Sequence, residues 1–153
     1  MIYNRGQVKT HLNPHELVQL AKEVLSQGNG FRFCAYGNSM MPFLKDGDII
    51  TLKPNRQNKR QVGEVVAFLQ PKNNTLAVHR VLKVMDNCCI LKGDNNENID
   101  GEIPNSAIIG IVTRIDRKGQ AVYFGFGLER FVIALLSQLG WLQKISNLLG
   151  ANQ

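Results

Sequence analysis

Four side chains in this sequence are of the types that peptide-bond hydrolysis requires, and they lie far apart along the chain: Ser39, His79, Asp94 and Asp100. Ser39 stands in Gly37-Asn38-Ser39-Met40-Met41-Pro42. A glycine before it and a proline after it interrupt regular structure, so the hydroxyl is presented on a turn. A serine hydroxyl is a weak nucleophile until a base takes its proton and a third group orients that base. His79, in Val78-His79-Arg80, is the base candidate; in a strand it shares its face with Ala77 and Val81, small neighbours that leave a substrate room. Two carboxylates compete for the third role. Asp94 lies in the polar turn Gly93-Asp94-Asn95-Asn96 and Asp100 precedes Gly101; either is also an ordinary turn aspartate, and Asn95 and Asn96 read as turn formers. The backbone N–H of Ser39 is the natural oxyanion donor, with a contribution from the Gly37 or Asn38 neighbourhood.

The rest of the chain must bring these groups together. At 153 residues and 44% hydrophobic content it fits one domain, large enough to bury a core without disulfides or metals. Within it, residues 1–30 read as an N-terminal helical segment, 31–124 as a β-domain and 125–153 as an amphipathic helical tail. Asn13 can cap a helix that starts at Pro14, carries Leu17, Leu20, Ala21, Val24 and Leu25 on one face and stops at Gly28. From Phe31 the period changes to two: Phe31, Phe33 and Ala35 alternate with Arg32, Cys34 and Tyr36 in a strand leading into the serine turn. Further strands are expected at 49–52, 65–69, 76–85, 88–92, 107–115 and 121–124, which makes a mainly antiparallel sheet.

Several functions are disfavoured. Adjacent Cys88 and Cys89 point to opposite faces of a strand, and with Cys34 they form neither a zinc pair nor an even disulfide framework; reduced, intracellular cysteines are expected. His11 and His15 have the spacing of a metal pair but no acidic or cysteine partner nearby, so exposed histidines are expected and no metal or cofactor is required. The net charge of +6 would favour an anionic partner such as a membrane surface or nucleic acid, but a solvated basic surface is the preferred reading. Arg56, Lys59 and Arg60 fall in a polar loop without interleaved aromatics or a groove-entering helix, so no nucleic-acid site is expected.

In order along the chain, Gly37-Asn38-Ser39-Met40-Met41-Pro42 with Gly47-Asp48, then Gly63-Glu64-Val65-Val66-Ala67-Phe68 with Val78-His79-Arg80-Val81, resemble the motifs of type I signal peptidases and their relatives, the self-cleaving SOS-response repressors. Bacterial signal peptidases carry a lysine base where this chain has His79. That histidine, with Lys92-Gly93-Asp94-Asn95-Asn96, Asp100, Ile103-Pro104 and Ile108-Ile109-Gly110, is similar to the endoplasmic-reticulum, archaeal and sporulation-type branch. The resemblance spans Phe31 to Ile115. It implies the antiparallel β-fold of signal peptidases and SOS repressors, Ser/His/Asp catalysis with Asp100 orienting His79 and Asp94 supporting, and small residues such as alanine beside the cut bond.

Most signal peptidases place a spanning helix before the serine motif. Residues 1–27 have polar or charged side chains every few positions, so neither a secretory signal nor a span is expected there. The tail's run from Phe131 to Leu142 is also shorter than the roughly 20 residues of a span. Its leucines recur at helical spacing, which predicts a helix on its own sheet, on a protein partner or in the plane of a membrane surface. The expectation is a cytoplasmic or peripherally membrane-associated serine endopeptidase that takes a peptide as an added strand, with Phe33–Tyr36 and Leu76–Val78 as candidate edges. The alternatives are a non-cutting peptide-binding module of the same fold and a self-cleaving regulator. About thirty residues with one clear helix before the sheet are too few for a helix-turn-helix domain, so the regulator is the less expected of these.

Overall fold

In the computed structural model, residues 2–5, 8–54, 60–123 and 125–150 are described, with side chains from Leu12 onward except at 146, 149 and 150. The expected residues Arg56, Lys59 and Phe124 and the side chain of His11 lie outside them.

Helix α1 (Pro14–Ser26) starts as its sequence dictates. Asn13 Oδ1 accepts the Glu16 N–H and Glu16 Oε2 accepts the Asn13 N–H, both at 2.9 Å, so two otherwise orphaned donors are satisfied reciprocally. Leu17, Val18, Ala21 and Leu25 form its buried face, which packs on β3 (Phe31–Cys34) and β9 (Ile108–Arg117). The helix ends where Gly28 takes a φ of 82°.

The sheet comprises β1 (Ile2–Arg5), β2 (Val8–His11), β3, β4 (Ile49–Lys53), β5 (Val65–Leu69), β6 (Leu76–Val84), β7 (Cys88–Lys92), β8 (Gly101–Pro104), β9 and β10 (Gln120–Val122). Its spatial order is β2-β1-β3-β4-β9-β5-β6-β7-β8, with β10 on β9, and every pairing is antiparallel. The expected mainly antiparallel fold is the one observed. Strand β5 explains why the sheet has a core on both faces. Val65 and Ala67 join Phe31, Phe33, Ile50, Leu52 and the α1 face, whereas Val66 and Phe68 join Val81, Leu91, Ile103 and Ile108. A strand buried on both sides reads as a continuous apolar run, as Val65-Val66-Ala67-Phe68 does.

Three expectations need correction. Residues 1–30 are not only helical: β1 and β2 pair with each other, and Tyr3 opposite Phe33 joins them to β3. Four-residue strands carry too little alternation to reveal themselves; the edge of β3 supplies the template. The tail holds two helices, α2 (Glu129–Gln138) and α3 (Trp141–Gly150), because Gly140 breaks the helical run with a φ of 72°. Arg60, expected on a polar loop, is only 7% exposed, and burial lowers its pKa. The cysteines are free. Cys88 is half-buried and Cys89 buried, as alternation in a strand requires, and burial pushes the Cys89 thiol up.

Candidate active site

The chain between β3 and β4 forms the turn that carries Ser39, and it is braced at several points. Gly37, with a φ of 100°, donates its N–H to Asp46 Oδ1 at 2.7 Å. Buried Asp48 accepts from the Lys45 N–H at 2.8 Å and receives Arg117 of β9 through Nε at 2.9 Å and Nη2 at 2.7 Å. Arg117 also donates to the Phe43 carbonyl at 2.8 Å. Its bond to Asp48 holds the guanidinium further above its ordinary value. Met40 is buried in the core directly after Ser39, which fixes the turn from below.

Strand β6 brings His79 to this turn. Its Nε2 lies 3.2 Å from Ser39 Oγ, and its Nδ1 lies 2.6 Å from Asp100 Oδ2. An ionised carboxylate can only accept, so Nδ1–H donates to Asp100 and Nε2 is left to accept the Ser39 O–H. The imidazole is buried against the Phe68 ring, with centroids 5.6 Å apart, while Asp100 keeps a partly exposed side chain. Asp100 comes from the loop between β7 and β8, anchored by its own N–H on the Leu91 carbonyl at 2.9 Å.

The two aspartates separate cleanly. Asp94 does not touch His79; it pairs with Arg80, whose Nε and Nη2 reach its carboxylate at 2.9 and 2.7 Å. Both side chains are buried, and Arg80 Nη1 donates to the Gly63 carbonyl at 2.8 Å while the guanidinium lies 5.4 Å over the Phe43 ring. The pair therefore clamps three segments together: the serine turn, the entry to β5 and the Gly93–Asn96 turn. Sequence reasoning passed over Arg80. Its signal was an ionised residue inside the apolar run Leu76–Leu82, which can be buried only with a counter-charge.

A family model described as Peptidase S24-like matches residues 5–113, more than two thirds of the chain. The chain belongs to the Peptidase S24-like family. A comparison with curated proteins finds no match. The matched region of this S24-like chain holds the serine turn, His79, Arg80, Asp94 and Asp100, and stops before the tail helices.

The Gly93 turn is also fitted to the serine. Asn95 N–H donates to the Ser39 carbonyl at 2.8 Å, and a Cβ at Gly93 would lie 2.7 Å from that same oxygen. A backbone oxygen held by a braced turn cannot give way cheaply. Gly93→Ala is therefore expected to cost about 1–3 kcal/mol of stability, measured by urea denaturation; unchanged stability would mean the turns are not locked together.

Beside Ser39 lies a cleft of about 260 Å³. Its lining includes Phe33, Ala35 and Tyr36 from β3 and the chain after it, Met40 and Leu44 from the serine turn, and Leu76, Ala77 and Val78 from β6. β6 pairs with β7 only from Arg80 onward, so Leu76–Val78 meets no strand on that side among the described residues. The other expected edge is only partly free: Phe33 is paired on both sides, with Tyr3 and Ile50.

Proposed function

We propose that this S24-like chain is a serine endopeptidase of the signal-peptidase type, which cuts a peptide bound as an extended strand. The observation that carries this reading is the unbroken chain Ser39 Oγ, His79 Nε2, His79 Nδ1, Asp100 Oδ2 at 3.2 and 2.6 Å. Nε2 takes the Ser39 proton as Oγ attacks the peptide carbonyl carbon. Asp100 stabilises the imidazolium that forms, and the Ser39 N–H faces the developing oxyanion. Collapse returns the proton from Nε2 to the leaving amine. Water, deprotonated by the same nitrogen, then hydrolyses the Ser39 ester and regenerates the hydroxyl.

The backbone of Leu76–Val78 can pair with the peptide, and the apolar wall of Ala35, Met40 and Leu44 favours an uncharged side chain beside the scissile bond. The family resemblance adds a preference for a small residue such as alanine at that position.

A peptide library incubated with the wild-type chain and read by mass spectrometry is expected to yield defined products that vanish in both Ser39→Ala and His79→Ala. Equal cutting by all three proteins would mean a contaminant and defeat the assignment. Binding by wild type and Ser39→Ala alike, with no products from either, would make the chain a binding module. Only the neutral imidazole can accept the serine proton, so the rate is expected to fall in acid. A flat profile would count against His79 as base.

A further inference from the structure

The large apolar side chains exposed on the described chain are concentrated on its last two helices. Along α2 and its flanks, Leu128, Phe131, Val132, Leu135 and Leu139 fall at one-face spacing and are 44–84% exposed. The opposite face, with Ile133, Ala134 and Ser137, is the one that is buried, and α2 packs on β6. On α3, Trp141, Ile145 and Leu148 continue the exposed stripe at 41–70%, and Leu142 turns inward. Eight exposed large apolar side chains on two helices in contact mark an interaction site.

Its charges indicate what covers it. From Leu128 to Gly150 the ionisable residues are Glu129, Arg130 and Lys144. Glu129 is the sole carboxylate, and it turns back to accept the N–H groups of Gly125 and Gly127 at 2.9 and 3.0 Å, bonds that hold its pKa down. Arg130 lies 4.9 Å over the Phe131 ring at the stripe's margin, and Lys144 is exposed beside Trp141 and Ile145. Arg130 is also held by Gln61, and exposed Glu97 meets α3 only through Gln143, so the free charge on the two helices is the Lys144 cation, on a chain of net charge +6. Trp and Tyr favour the water–lipid boundary, and Trp141 with exposed Tyr123 supplies both types. Neither helix can cross: each has 10 residues, about 15 Å of helix against a hydrocarbon layer of about 30 Å.

We propose that the outer face of α2 and α3 lies in the headgroup plane of an anionic bilayer. The helices are tied to the site. Lys92 Nζ, at the end of β7, donates to the Ser137 carbonyl at 2.5 Å, and Gln143 Nε2 donates to Glu97, in the loop that carries Asp100, at 3.3 Å. Docking therefore fixes the β7–β8 loop, and with it Asp100, relative to the lipid surface. The substrates are then peptide segments presented at that surface, a statement that rests on the proteolytic reading above, whereas the docking does not.

The test uses the full chain, vesicles of phosphatidylcholine with and without phosphatidylglycerol, and the emission of Trp141, the single tryptophan. A blue shift and co-sedimentation are expected with the anionic vesicles, and about tenfold weaker binding or less without them. Leu135→Glu combined with Leu139→Glu, both at exposed positions, is expected to weaken partitioning roughly a hundredfold while leaving circular dichroism and cutting of soluble peptides unchanged. Ser39→Ala is expected to bind vesicles like wild type, so failure of docking and failure of catalysis are read separately. Absence of vesicle binding, binding that ignores the double substitution, or a dimer in ultracentrifugation that the double substitution dissolves would each overturn the proposal.

Discussion

Asp100→Asn is expected to lower kcat/KM by about three to four orders of magnitude with little change in stability. The side chain keeps its size, so the loop between β7 and β8 and its anchor on the Leu91 carbonyl remain. What changes is the partner of Nδ1, now 2.6 Å from a carboxylate oxygen. An amide can turn its NH₂ toward the ring and so favour the tautomer with its proton on Nε2, which cannot accept from Ser39. It also leaves the imidazolium without a counter-charge. Steady-state kinetics on a peptide from the library screen, with thermal unfolding beside it, checks both halves. A variant within tenfold of wild type would remove Asp100 from the mechanism.

Asp94→Ala is expected to behave in the opposite way, losing about 3–5 kcal/mol of stability. The Arg80 guanidinium would stay almost wholly buried, with its Gly63 bond but without the carboxylate that compensates its charge. Breaking one side of a buried pair costs more than the pair is worth, because the remaining charge has lost its water and gained nothing. Replacing both members, Asp94→Leu with Arg80→Met, is therefore expected to recover much of the loss. Urea denaturation of the two variants and wild type measures it; an Asp94→Ala protein within 1 kcal/mol of wild type would show that the pair does not hold the turns together.

These contrasting expectations trace what the residues themselves could and could not reveal. Ser39 and His79 could be picked out because each is a reactive type beside turn-forming or small neighbours, whereas Asp100 was preferred over Asp94 only through the family resemblance. The strands around them showed through period-two alternation and turn residues, and Asn13 with Glu16 marked the start of α1. Asp94 and Asp100 look alike as turn aspartates. What separates them is the reach of Arg80 from β6, a contact between residues 14 apart that no local pattern encodes. The hairpin of β1 and β2 was hidden for a similar reason, since its pairing to β3 is tertiary. The division of the tail at Gly140 was signalled by the glycine itself, but the apolar spacing runs on across it and masked the break.

The short gap along β6 sets a limit on how this molecule can hold a guest. An unpaired strand edge recruits any extended chain, including misfolded copies of the protein itself. Along β6 the opening is confined to the four residues Leu76–His79 before β7 closes the ladder at Arg80. That length permits only a few backbone bonds, each worth about 1 kcal/mol net. Stray polypeptides and severed fragments should therefore fall away quickly, which favours repeated turnover over sequestration.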